Sequence, residues 1–235
     1  MLDFSIVFFL MTLGQAVNTS NPPPQADLLS RVDHIVYATP DLTRGVEEIE
    51  KLLGVRAAPG GQHPGRGTHN ALVALGPASY LEIIAPDPQQ PPPAGARPFG
   101  IDGLSRPTLV AWAAKSGDLA QLVREAAAKG IRLGEVRSGS RKRPDGVLIS
   151  WRFTDPSTVL ANGVVPFFID WTNSPHPSQT ATPGATLVEL RAEHQEPEPV
   201  RITLRDLGIP LPVKSGPQPA LIAVIECPRG RIELR

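Results

Sequence analysis

Apolar and β-branched residues crowd together over residues 32–38 (VDHIVYA), and Pro40-Asp41 ends the run, which predicts a strand. Leu42, Val46, Ile49, Leu52 and Leu53 then recur at the spacing of one helix face, and Gly54 closes the pattern. Three extended pieces follow: a short one near Val55, then 70–75 and 80–85. Residues 32–86 therefore read β-α-β-β-β.

The same grammar returns. A strand is predicted over 108–114, a helix opens at Asp118-Leu119 and runs to Lys129, and Gly130 stops it. Extended stretches recur at 133–136, 147–153 and 164–171. Pro40-Asp41-Leu42 matches Gly117-Asp118-Leu119, and Leu53-Gly54 matches Lys129-Gly130 at nearly the same offset. A shorter third copy is read in a strand at 185–191, a helix at 198–207, and a hairpin at 221–226 with 231–234. One such unit leaves an apolar face uncovered, so the copies are expected to pack together. The predicted class is α+β: tandem βαβββ modules with a partial third β-α-β-β unit. The divisions are an apolar N-terminal segment and Pro-rich linker (1–30), a first module (31–86), a Pro-rich joint (87–106), a second module (107–177) and the partial third (178–235).

Composition narrows the partners. Lys and Arg together number 23 and balance 23 Asp and Glu, so no global field draws nucleic acid. Cys227 is the only cysteine, which excludes an intrachain disulfide and a Cys-based zinc site. The apolar run at 4–13 is half the length of a bilayer span, so no stable membrane insertion is expected. It has the length of a signal-peptide core, with small residues at 14–16, but Asp3 precedes it and no Lys or Arg does. A cytoplasmic protein is the expectation. Secretion is the alternative if residues 1–16 are removed, in which case Asn18 heads a glycosylation sequon.

Chemistry is sought on the strands, where alternate side chains share a face. His34 shares its face with Val36, His69 shares one with Ala71 and Val73, and Thr68 and Asn70 point the other way. Glu82 lies among bulky apolar neighbours, where a carboxylate is costly to bury unpaired. His34, His69 and Glu82 together offer N and O donors for a divalent ion such as Zn, Fe, Mn or Ni. The competing reading is that Glu82 pairs with an arginine and the histidines are ordinary hydrogen-bonded residues.

His34 in VDHIVYATPDL, the stretch GGQHPGRGTHN at 60–70 and YLEIIAPDP at 80–88 resemble a glyoxalase-like domain of the vicinal oxygen chelate superfamily. Arg143-Pro144-Asp145-Gly146, PFFIDW at 166–171 and His176-Pro177 resemble the same branch, so the likeness spans roughly 31–235. It implies paired modules whose curved sheets enclose a cleft, with metal ligands on the first and last strands of each module. His34 and Glu82 match the first module's positions. The second module departs, placing Ala111 where His34 would be and offering only Asp170 beside the Glu82 position. His69 or His63 is the candidate replacement.

The remaining residues carry paired readings. His63 sits in a Gly-rich stretch that cradles an anion or is a plain loop. Thr68 and Asn70 bind ligand or one another, and Trp112, Trp151 and Trp171 fill the core or line the cleft. Arg143 belongs to the basic cluster Arg141-Lys142-Arg143, which meets an anionic substrate or is a solvated loop. His176 reads as a turn residue and His194 as surface. Two functions follow. One is a metal-assisted lyase, isomerase or dioxygenase acting on a small oxygen-rich molecule, with Glu82 and His69 as proton carriers. The other is a non-catalytic small-molecule binder using the same cleft. A homodimer is left open, since superfamily members often pair modules between chains.

Overall fold

The computed structural model describes residues 24–235. The N-terminal apolar run and the sequon lie outside the described residues. No helix among those described is long and apolar enough to cross a membrane.

Helix α1 (Pro24–Arg31), in a stretch read as linker and segment end, leads directly into β1 (Val32–Ala38). Helix α2 (Leu42–Leu53) starts where the Asp41 side chain accepts the Arg44 amide at 2.8 Å, and stops at Gly54 in the left-handed conformation. Strands β2 (Ala58–His63), β3 (Thr68–Gly76) and β4 (Ser79–Pro86) complete the first unit. The second holds β5 (Thr108–Lys115), α3 (Leu119–Ala128), β6 (Val136–Lys142), β7 (Leu148–Thr154) and β8 (Phe167–Asp170). Asp118 caps α3 as Asp41 caps α2, accepting the Gln121 amide at 2.9 Å. The last stretch contains β9 (Thr186–His194), α4 (Pro197–Asp206), β10 (Val213–Ser215), β11 (Ala220–Cys227) and β12 (Gly230–Leu234). Strands β2 and β6 begin three residues later than the apolar pattern suggested, because β2 runs through Pro and Gly and β6 through Ser, Gly and basic residues, none of which marks a strand by apolar spacing.

Both units join one eight-stranded sheet, ordered β2-β3-β4-β1-β5-β8-β7-β6. Strand β1 lies at its centre, parallel to β4 and antiparallel to β5, which explains why all seven of its residues are buried. The outer face carries Ile35, Tyr37, Val73, Leu81, Ile83 and Trp112, packed with α2 residues Ile49 and Leu53 and with Leu190 and Leu221 of the second sheet. That second sheet, β10-β9-β11-β12, covers the apolar face that the larger sheet leaves open. The large sheet curls until its edge strands touch: Arg141 on β6 donates from Nη1 to the Gly60 carbonyl on β2. The concave inner face is the wall of a cavity.

Candidate functional site in the curled sheet

The cavity opens to solvent, and the space between its walls, open solvent included, is ≈ 520 Å³. Its polar lining comes from β1 (His34), β2 (His63), β3 (Thr68, Asn70), β4 (Tyr80, Glu82) and β6 (Arg141). Trp151, Phe153, Phe167 and Trp171 supply an aromatic wall, and Arg66 reaches in from the β2–β3 turn.

His34 is fixed from behind. Adjacent residues on a regular strand face opposite ways, but a register shift between Val32 and His34 in the β1–β5 ladder lets Asp33 and His34 meet. The buried Asp33 carboxylate, 1 % exposed, accepts His34 Nδ1–H at 2.7 Å, His176 Nε2–H at 3.2 Å and Trp171 Nε1–H at 3.1 Å. Burial alone would raise this carboxyl group, but the hydrogen bonds from His176 and His34 outweigh it and hold its pKa at about 2. An ionised carboxylate only accepts, so His34 carries its hydrogen on Nδ1 and turns Nε2 to the cavity. The His34 ring stacks on Tyr80 at 4.7 Å and meets Phe167 edge-on at 5.5 Å, which locks its plane.

Glu82 is 7 % exposed and faces two imidazoles. Its Oε2 lies 3.8 Å from His34 Nε2, and its Oε1 lies 3.8 Å from His63 Nε2. Asn70 Nδ2 donates to Oε1 at 2.5 Å and lies 3.3 Å from His63 Nε2. His63 Nδ1 is 3.0 Å from Thr68 Oγ1, and the Asn70 donor makes His63 Nε2 the acceptor, so Nδ1–H donates to Thr68. Burial depresses the His63 pKa to about 4, leaving the ring neutral at ordinary pH. Asn70 Oδ1 has no hydrogen-bond partner among the described residues and lies against Gly60, where a β-carbon would come within 2.1 Å of it. Gly60 is thus required by close approach.

The sheet brings together His34, His63, Thr68, Asn70, Glu82 and Trp171. It does not bring His69 or Arg143. His69 shares the outer face with Ala71 and Val73, lies 3.9 Å from Asp87, and opens on a different hollow beside Leu42. The His34–His69–Glu82 set is therefore corrected: His69 is one residue out of phase with the inner face, and His63 stands nearer Glu82 instead. Arg143 lies past the end of β6, where the chain turns and it pairs with Asp145, whereas Arg141 is still on the strand, buried and turned into the cavity. Asp170 is spent accepting the Thr172 amide at 2.7 Å. Trp112 is wholly buried and donates to the Val164 carbonyl at 2.8 Å, a core role. His176 shapes a turn, accepting the Ser178 amide, and also grips Asp33. Sequence reasoning passed over Asp33, Arg66 and Tyr80 as site residues. The glycines flanking Arg66 were the available signal for that residue.

A divalent ion, used by many members of the superfamily, needs a convergent donor set. His34 Nε2 and Glu82 Oε2 are within the span of two metal–ligand bonds, roughly 4.2 Å. The set stops there. The inner positions of β5 and β8 hold Ala111, Ala113, Phe167 and Ile169, and an N–H of Asn70 fills the space between Glu82 and His63. Among the described residues, no three His, Cys, Asp or Glu side chains converge as ligands. The residues do not fit a resident ion of that kind.

The glyoxalase-like domain model matches residues 32–208, and the chain belongs to that family, within the vicinal oxygen chelate superfamily. Among solved structures it is similar to a hypothetical protein from Staphylococcus aureus, at 12% identity and TM-score 0.59, covering 86% of this chain and 83% of that one. It also matches methylmalonyl-CoA epimerase from Mycobacterium tuberculosis at 21% identity and TM-score 0.41, covering 67% of this chain and 94% of that one. A hypothetical protein from Bacillus halodurans matches at 18% identity and TM-score 0.42, covering 62% and 96%. No curated protein sequence matches the chain.

Proposed function

We propose that the protein is an enzyme that moves a proton on a small oxygen-rich molecule held in the curled-sheet cavity, as an isomerase or a lyase. The observation that carries this reading is the facing pair: Glu82 Oε2 and His34 Nε2 stand 3.8 Å apart, each anchored from behind by Asn70 and Asp33. That gap is too long for a direct hydrogen bond and leaves both groups free to act on a ligand between them. In an α-hydroxycarbonyl substrate, Glu82 takes the proton on carbon and the C–H electron pair moves onto the carbonyl oxygen, giving an enediolate. His34 takes the neighbouring hydroxyl proton, and ionised Asp33 stabilises the resulting imidazolium. Return of the two protons to exchanged positions completes an isomerisation. Expulsion of a leaving group by the enediolate completes an elimination.

The test is solvent exchange. In D₂O, the wild-type protein is expected to place deuterium at the α-carbon of members of a panel of small hydroxy and keto compounds, read by proton NMR. Glu82→Gln is expected to keep ligand binding and lose exchange. Tight binding without exchange in the wild type would instead support a non-catalytic binder. Exchange that survives Glu82→Gln would refute the assigned base.

A further inference from the structure

Three charged side chains line the cavity: Glu82, Arg66 and Arg141. His63 is neutral, and Asp33 lies behind the wall, engaged by three N–H groups. Within the lining, two guanidinium groups stand against one carboxylate; Asp155, outside that lining, also attracts Arg66 but is itself paired with Arg137 at 2.9 Å.

Neither arginine is held in a salt bridge among the described residues, although the others near the rim are. Arg97 pairs with Asp102 at 2.6 Å, Arg137 with Asp155 at 2.9 Å, and Arg143 with Asp145. Arg141 is 4 % exposed and gives one N–H, from Nη1, to the Gly60 carbonyl, which leaves further donors of its fork for the cavity. A guanidinium buried to that degree without an anion is costly unless an anion arrives. Arg66 is aimed by its turn: Gly65 (φ 74°) and Gly67 (φ 61°) flank it in left-handed conformations, and its Cζ lies 4.5 Å from the centre of the Phe153 ring. One guanidinium thus stands in the wall on β6 and the other reaches in from the β2–β3 turn, with the Phe153 ring beside it.

We infer that this small oxygen-rich ligand is a monocarboxylate that also carries a planar or apolar group, its carboxylate taken by the fork of Arg141 and by Arg66. This rests on the proposed reading of the cavity as the substrate site and names the substrate class. The carboxylate supplies the missing negative charge, and the body lies along Trp151 and Phe167.

The experiment compares phenylacetate with its neutral isostere phenylacetamide by calorimetry, using the full chain. Phenylacetate is expected to bind at least ~10-fold more tightly, as suits a charge-assisted fork. Arg141→Lys keeps the charge but loses the fork, and Arg66→Met keeps the bulk but loses the charge. Each is expected to weaken phenylacetate by ~10-fold and to leave phenylacetamide unchanged. Arg66→Met decides the matter should Arg141→Lys unfold, which a melting curve reports. Equal affinity for acid and amide, no binding of the acid, or equal loss of both ligands in the variants would overturn the inference. Its failure is separable from failure of the proton-transfer reading: the Glu82→Gln exchange experiment does not depend on which ligand carries a charge.

Discussion

Asp33 and His34 are neighbours in a β-strand, yet the carboxylate of one accepts the ring N–H of the other at 2.7 Å. The register shift between Val32 and His34 makes this contact, and through it sets which imidazole nitrogen faces the cavity. The carboxylate joins a tryptophan and a second histidine to the same point, so one buried charge organises three rings.

That charge ties stability to acid. The Asp33 carboxyl group falls from 3.8 to about 2 on folding, so the native state binds fewer protons than the unfolded chain between those values. The contribution is present above about pH 4 and is lost as pH falls towards 2, with a magnitude of about 2 kcal/mol. Urea unfolding at successive pH values is expected to show this slope, and Asp33→Asn to remove it. An unchanged slope in Asp33→Asn would disprove the assignment.

His63 adds an independent dependence at higher pH. Its pKa drops from 6.5 to about 4 through burial, so the unfolded chain takes up a proton first as pH falls. Stability is therefore complete above 6.5 and declines by about 3 kcal/mol as pH falls towards 4. Nitrogen-15 spectra of the ring are expected to show a neutral Nδ1–H tautomer at pH 6, well above the folded-state value of about 4. A protonated ring at pH 6 would contradict the geometry with Thr68 and Asn70.

Side of the sheet separates the histidines. His34→Ala is expected to reduce exchange activity about 100-fold, as loss of a proton carrier does. His69→Ala, on the outer face, is expected to leave it within about two-fold. Comparable losses in both would mean that the active hollow lies elsewhere.

Gly60→Ala places a methyl group 2.1 Å from Asn70 Oδ1. The amide must swing from Glu82 and His63, at a cost of about 1–3 kcal/mol in stability, and with a drop in turnover. Asn70→Ser in the same chain is expected to recover part of the stability by shortening the side chain. Additive losses in the double variant would show that the two residues do not interact.

Metal loading tests the donor set directly. After chelation and dialysis against Zn²⁺ or Mn²⁺, the protein is expected to retain substoichiometric ion. A full equivalent that disappears in both His34→Ala and Glu82→Ala would restore a metal centre.

Legibility followed periodicity. The runs at 32–38, 42–53, 70–75 and 80–85 were readable because apolar spacing reports burial, and the Asp caps and glycine stops framed both long helices. Where polar or glycine residues build a strand, as in β2 and β6, spacing reports little and the boundaries moved. Alternation placed Thr68 and Asn70 together correctly, and the same rule set His69 apart from them. Taking His69 as a ligand ignored that rule. Alternation also hid Asp33, since a bulge inserts one residue and breaks the count. Arg141 was lost inside a basic triplet whose members face different ways.

The seam between β2 and β6 leaves a final mark. Arg141 both latches one rim of the sheet to the other, through the Gly60 carbonyl, and stands in the wall where a ligand would lie. Occupancy and latching are therefore borne by a single side chain. Amide protons along those two rims should exchange more slowly when the hollow is filled, although no ligand atom need touch them.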